Sequence, residues 1–158
     1  MPPVTEPTAG SGGSLEEVRA LLESVVRKLG LDPKAVERSS DDTHVTYAVK
    51  RGSANVVIST GVADGARFVR VAAPVMVPPS ESDAQSKLFQ RLLELNAAGL
   101  SNASFGLLDG RVIVVSERPA TALQDVEVEQ MVRHLAAVAD TFDDRLVAEF
   151  GGVRGAGA

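Results

Sequence analysis

The sequence predicts an α+β fold, an antiparallel sheet with helices packed on one face. Three observations predict it. Apolar residues recur at helical spacing near the start, in the middle and near the end of the chain. Between those stretches the apolar period drops to two, as in half-buried strands. Asp-Gly pairs stand between the alternating runs, where a tight hairpin needs residues that tolerate positive φ. Strands joined by hairpins are antiparallel, and helices at each end and in the middle can all cover one face.

Residues 1–13, rich in Pro, Gly, Ser and Thr with no apolar period, read as a disordered tail. Ordered structure is expected from Ser14, where Ser14 and Glu17 have the spacing of a capping box. Leu15, Val18, Leu21/Leu22, Val25 and Leu29 then mark one face of a helix over 15–29, ended by Gly30. A weak strand over 35–39 follows. Val45, Tyr47 and Val49 alternate with polar or small residues in a second, and "ANVVIST" is a third after a turn at 50–53. Asp64-Gly65 turns the chain into "RFVRVAAPVMV", with Val69, Val71, Ala73, Val75 and Val77 on one face. Pro74 cannot donate to a ladder, so that strand is expected to be an edge or to bulge.

Pro78-Pro79 stops the sheet, and a box at Ser82–Gln85 opens a helix over 83–98. Its apolar residues Leu88, Phe89, Leu92, Leu93 and Leu95 form two adjoining stripes, wider than one sheet contact requires. Gly99 caps it. A hairpin then turns at Asp109-Gly110, with Phe105 and Leu107 expected opposite Ile113 and Val115, and "VIVV" reads as a central strand. The last helix begins at Asp125, or at Thr121 if Thr121–Gln124 is the working cap. It runs through Val128, Met131/Val132, Leu135, Val138, Phe142 and Leu146 to Gly151-Gly152. Residues 151–158 are expected to be a disordered tail, leaving 14–150 as a single domain.

Composition excludes more than it identifies. The chain has 158 residues, 44% hydrophobic and 23% charged, normal for one globular domain. With no cysteine there is no disulfide, thiolate chemistry or cysteine-held metal, in keeping with a reducing cytoplasm. The opening residues have neither a basic nor an apolar signal region, and no run reaches the roughly 18 apolar residues of a membrane span. A net charge of −5, one Tyr and five Phe disfavour nucleic acid and anionic lipid. Arginine supplies 12 of the 16 basic residues, pointing to a GC-rich bacterial genome.

No constellation carries catalysis, and no metal or cofactor is expected. His44 is read on a strand and His134 on a helix, without metal-ligand spacing. Asp140, Asp143 and Asp144 fall on the polar side of the last helix and read as a solvated face. There is no Gly-x-Ser-x-Gly elbow for a nucleophile. Gly99 follows a helix and Gly106 lies within a strand, the wrong order for a phosphate loop. Asn102-Ala103-Ser104 matches a glycosylation pattern by chance.

From "RFVRVAAPVMVP" through "LLELNAAGL", "FGLLDGRVIVVSERP" and the long Ala-rich helix, the chain resembles YbjN-type proteins, whose fold is that of type III secretion chaperones. The resemblance rests on Leu95-Asn96 ending the middle helix, the Asp109–Val112 hairpin, a proline-terminated strand, and Ala139, Asp140 and Phe142 near the end. It implies the order α-β-β-β-α-β-β-α, commonly a homodimer, and a non-catalytic protein-binding module, chaperone-like or a regulatory adaptor. On that reading Leu88, Leu92 and Leu95 line the dimer contact while Phe89 and Leu93 pack on the sheet, or the reverse. The partner protein pairs with an exposed edge of the 67–77 strand, at Arg67, Val69, Val71 and Val75. The alternative is a small-molecule-sensing regulatory domain of roadblock or profilin-like architecture, for which Arg67, Arg70 and His44 are the polar candidates.

Overall fold

The computed structural model describes residues 13–155, so the expected tail over 1–13 lies, apart from Gly13, outside the described residues. Helix α1 (Leu15–Lys28) starts at the expected box: the Ser14 hydroxyl accepts from the Glu17 amide at 3.1 Å, and the Glu17 carboxylate accepts from the Ser14 amide at 3.3 Å. Its inner face buries Val18, Leu22, Val25 and Val26. The stretch expected as a weak strand over 35–39 is split. Asp32 caps a single helical turn, α2 (Pro33–Val36), with proline at its first position, and β1 (Glu37–Ser40) follows. Proline is preorganised for that position, which is why the turn wins over an extended chain there.

The sheet is antiparallel throughout. It contains β1, β2 (Val45–Arg51), β3 (Ala54–Ala63), β4 (Ala66–Val77), β5 (Ser104–Leu108), β6 (Arg111–Pro119) and β7 (Val153–Arg154), in the spatial order β1-β2-β3-β4-β6-β5, with β7 on β4. Asp64-Gly65 and Asp109-Gly110 have φ of 52° and 74°, and of 49° and 73°, so both hairpins close on paired left-handed residues as the sequence predicts. The two-residue turn pairs Leu108 with Arg111. Phe105 therefore faces Val114 and Leu107 faces Val112, one residue off the expected partners Ile113 and Val115.

α1, α3 (Ser82–Ala98) and α4 (Asp125–Phe150) pack on one face of the sheet, over alternate residues such as Val56 and Ile58, Val69, Val71 and Ala73, and Val112 and Val114. α3 is capped by Glu81 rather than Ser82: its two carboxylate oxygens accept from the amides of Asp83 at 2.9 Å and Ala84 at 2.8 Å. α4 takes the later of the two expected starts, with Glu127 accepting from the Gln124 amide at 2.8 Å. Among the described residues no helix is long and apolar enough to cross a membrane.

Three further expectations are corrected. β4 is a central strand, paired with β3 on one side and β6 on the other, so its Arg67–Val71 stretch offers no free edge. Pro74 is accommodated because β3 stops pairing at Ala72 and the β4–β6 ladder shifts register between Pro74 and Met76. Residues 151–155 are not a free tail: Gly151 and Gly152, at φ of 84° and 86°, turn the chain back so that β7 pairs with β4. The carboxylates of α4 are not simply a solvated face. Asp143 is buried and takes Arg154, and Asp140 accepts from the Ser53 hydroxyl.

His44 lies just before β2 rather than on it, in a turn organised by Asp41. That carboxylate accepts from the Thr43 amide at 2.7 Å, the Thr43 hydroxyl at 2.9 Å and the His44 amide at 2.9 Å. These bonds, the Thr43 amide first, lower its pKa to about 2. A folded-state pKa below the unfolded value of about 4 gives stability that is present above pH 4 and lost as pH falls towards 2. Denaturant midpoints should therefore drop between pH 4 and 2, and Asp41→Asn should flatten that drop. An identical pH profile in the variant would remove Asp41 as a contributor.

Candidate functional site

One face of one sheet needs a single apolar stripe from a helix packed on it. α3 carries two, Leu88–Leu92–Leu95 and Phe89–Leu93, the second continued by Asn96. The structure settles which is which. Leu88 is fully buried and Leu92 nearly so, both in the chain's own core, and Leu95 is half-buried. Phe89 is half-buried and Leu93 is 69% exposed. Relative to the first expectation, Leu88 and Leu92 are occupied inside the chain, Phe89 and Leu95 are both half-buried against the core, and Leu93 is the residue turned outward.

The Phe89–Leu93 stripe borders β5, the edge of the sheet. Phe89, Leu92, Leu93, Asn96, Phe105 and Leu107 line an apolar groove of about 180 Å3. Leu107 on the strand is 55% exposed, so the groove opens to solvent along β5. Its floor is rigid. Phe105 packs edge-on against Phe142 of α4, ring centroids 5.4 Å apart at 83°.

Asn96 closes one end. Its side-chain oxygen accepts from the Phe105 amide at 2.7 Å and its side-chain nitrogen donates to the Phe105 carbonyl at 3.0 Å. The side chain thereby supplies both bonds that a further strand would have made to Phe105 on that edge. Sequence reasoning missed this role. The available signal was an asparagine, a poor helix former, in the last turn of a helix.

The other expected site residues are not brought together. Val69, Val71 and Val75 are buried in the core. Arg67 donates to the Thr43 carbonyl at 2.7 Å, the His44 ring lies 2.7 Å from the Asp41 carboxylate, and Arg70 lies 3.7 Å from Glu117. Each polar group expected to serve a ligand pocket is turned to a partner in its own chain. The connection from α3 to β5 is held the same way: the His134 ring lies 2.6 Å from the Leu100 carbonyl, while Ser101 and Asn102 turn the chain with φ of 52° and 68°. Among the described residues no group of three or more His, Asp or Glu is placed to hold a metal ion.

A family model described as "T3SS (YopN, CesT) and YbjN peptide-binding chaperone 1" matches residues 16–157. No curated protein matches the chain. Among solved structures, a chain of the ExsC–ExsE complex superposes with a TM-score of 0.61 at 17% identity, covering 84% of this chain and 95% of that one. A chain of the HopA1–SchA chaperone–effector complex gives 0.54 at 14%, covering 90% and 99%. A chain of the heterodimeric ExoU–SpcU complex from the type III secretion system of Pseudomonas aeruginosa gives 0.53 at 16%, covering 82% and 97%. At such identities the likeness establishes the fold.

Proposed function

The chain belongs to the family of type III secretion and YbjN peptide-binding chaperones, and on that premise we propose a non-catalytic chaperone or regulatory adaptor that binds a protein partner as a homodimer. The acting unit is one domain, residues 14–155, extended beyond 150 because β7 belongs to the sheet. A single core cluster drawing on α1, α3, α4 and the sheet supports it. The absence of cysteine favours work in the cytoplasm.

The observation that carries the reading is the apolar patch of Phe89, Leu93 and Leu107 at the β5 edge. A face made of one helix and an edge strand can meet its own copy about a two-fold axis, each helix covering the other's groove. Support for a protein partner comes from the family description and from two solved neighbours, one a chain of a chaperone–effector complex and the other of a heterodimeric complex from a secretion system.

Light scattering on the purified protein tests the dimer. A mass of two chains is expected at tens of micromolar, and Leu93→Glu should raise the dissociation constant at least tenfold, about 1.4 kcal/mol. Because Leu93 is 69% exposed in the single chain, the variant should keep the wild-type circular dichroism spectrum. A wild-type monomer at that concentration would sink the dimer.

A further inference from the structure

The β3–β4 ladder stops at the pair Val57–Ala72, so β3 leaves residues 73 to 77 of β4 unpaired on that flank. The chain fills it with its own residues: Met76 pairs with Arg154, Val77 with Val153, and the Gly155 amide donates to the Val75 carbonyl at 2.9 Å. The Arg154 guanidinium then reaches α4, its Nη2 2.7 Å and its Nε 3.2 Å from one Asp143 oxygen, with Nε also 3.2 Å from Asp144. The Asp143 side chain is only 12% exposed, so this carboxylate is a fixed and largely desolvated acceptor.

The residues either side of this short strand must be small. A Cβ on Gly152 would stand 2.2 Å from the Val77 carbonyl oxygen, and one on Gly155 would stand 3.0 to 3.2 Å from the backbone of Pro74, Val75 and Met76. A strand edge, a carboxylate clamp and a floor closed to side chains together select a Gly-x-Arg-Gly pattern. The hold is nonetheless slight. Only two residue pairs form, Val153 is 59% exposed, and the Arg154 side chain is 51% exposed.

We propose that the open flank of β4 with Asp143 and Asp144 is a peptide-docking site for an extended, glycine-flanked arginine segment of a partner, occupied in this chain by residues 152–155. That the arriving partner is a peptide rests on the chaperone reading above. Main-chain pairing supplies the affinity and the clamp supplies selectivity. The chain's own segment competes at the millimolar effective concentration typical of a short tether, so a trans peptide enters only when that segment is loosened.

A fluorescently labelled synthetic peptide, GGVRGAGA, is the probe, and fluorescence anisotropy with the full chain is the readout. Gly152→Val, which drives a side chain into the Val77 carbonyl, should bind the peptide at least tenfold more tightly than wild type. Adding Asp143→Asn should abolish that gain. Arg154→Ala, which weakens the internal clamp without a steric clash, is the second variant should Gly152→Val fail to fold. No binding to either folded variant, or binding that Asp143→Asn leaves intact, overturns the proposal. Neither result touches the dimer, which light scattering reads separately.

Discussion

Leu88→Ala is expected to lower the free energy of unfolding by about 2–5 kcal/mol, a fall of about 4–20 °C in melting temperature for a domain of this size. Leu93→Ala, five residues along the same helix, should change the stability of a single chain by no more than about 0.5 kcal/mol. The residue type is the same and the helix propensity is the same, so only the surroundings differ. Leu88 is fully enclosed by the core, where deleting its branch leaves a cavity that close-packed neighbours fill only in part. Leu93 is already 69% in water and gives up little. With no tryptophan and one tyrosine, urea denaturation is best followed by far-ultraviolet circular dichroism. Any loss in Leu93→Ala should grow with protein concentration, because it acts through the dimer, whereas the Leu88→Ala loss should not. Equal, concentration-independent losses would mean that α3 is rotated from the orientation described.

The rotation of α3 marks the boundary of what the sequence makes legible. Part of the local chemistry was readable, at the first helix cap and the tight hairpin turns, though not at the α3 cap, where Glu81 takes the place of Ser82. Ser14 and Glu17 could satisfy each other's amides wherever α1 packed, and Asp109-Gly110 could close a hairpin before any partner strand was known. The phase of α3 was not readable, because Leu88–Leu92–Leu95 and Phe89–Leu93 are equally apolar and only the sheet decides which stripe turns inward. The same holds for β4. Pro74 left an edge and a bulge both open, and strand order, which is non-local, decides for the bulge: β6 returns after a helix and a hairpin to cover the other side, and its ladder with β4 shifts register between Pro74 and Met76.

The clamp on β7 was out of reach for a related reason. Two residues give no period, so Val153-Arg154 carried no strand signal, and glycines on both sides read as a tail. Asp143 then lacked its partner in the sequence and fell in with exposed neighbours on a helical wheel. Two of the overlooked features pair residues that are apart in the sequence, Asn96 with Phe105 across a turn and Asp143 with Arg154 across a reversal. The resemblance to a family succeeded where local reading stopped because order of elements, rather than any single contact, carried it.

Asn96→Ala is the second large effect expected, about 2–4 kcal/mol in unfolding free energy. The side chain has no freedom to serve Phe105 the other way round: the backbone amide needs an acceptor and the carbonyl needs a donor, which fixes the orientation of the Asn96 amide. Alanine removes two hydrogen bonds at once and leaves two main-chain groups of a buried residue without partners. Asn96→Asp separates the two halves of the effect, since a carboxylate can accept from the Phe105 amide but cannot donate to its carbonyl. Hydrogen exchange at the Phe105 amide should therefore accelerate strongly in the alanine variant and much less in the aspartate variant, while both lose stability. The alanine variant should also associate non-specifically, because β5 would then present Phe105 as an unblocked strand edge beside the apolar groove. Unchanged exchange at Phe105 in Asn96→Ala would show that water replaces the side chain without cost, and that Asn96 neither stabilises the hairpin nor guards its edge.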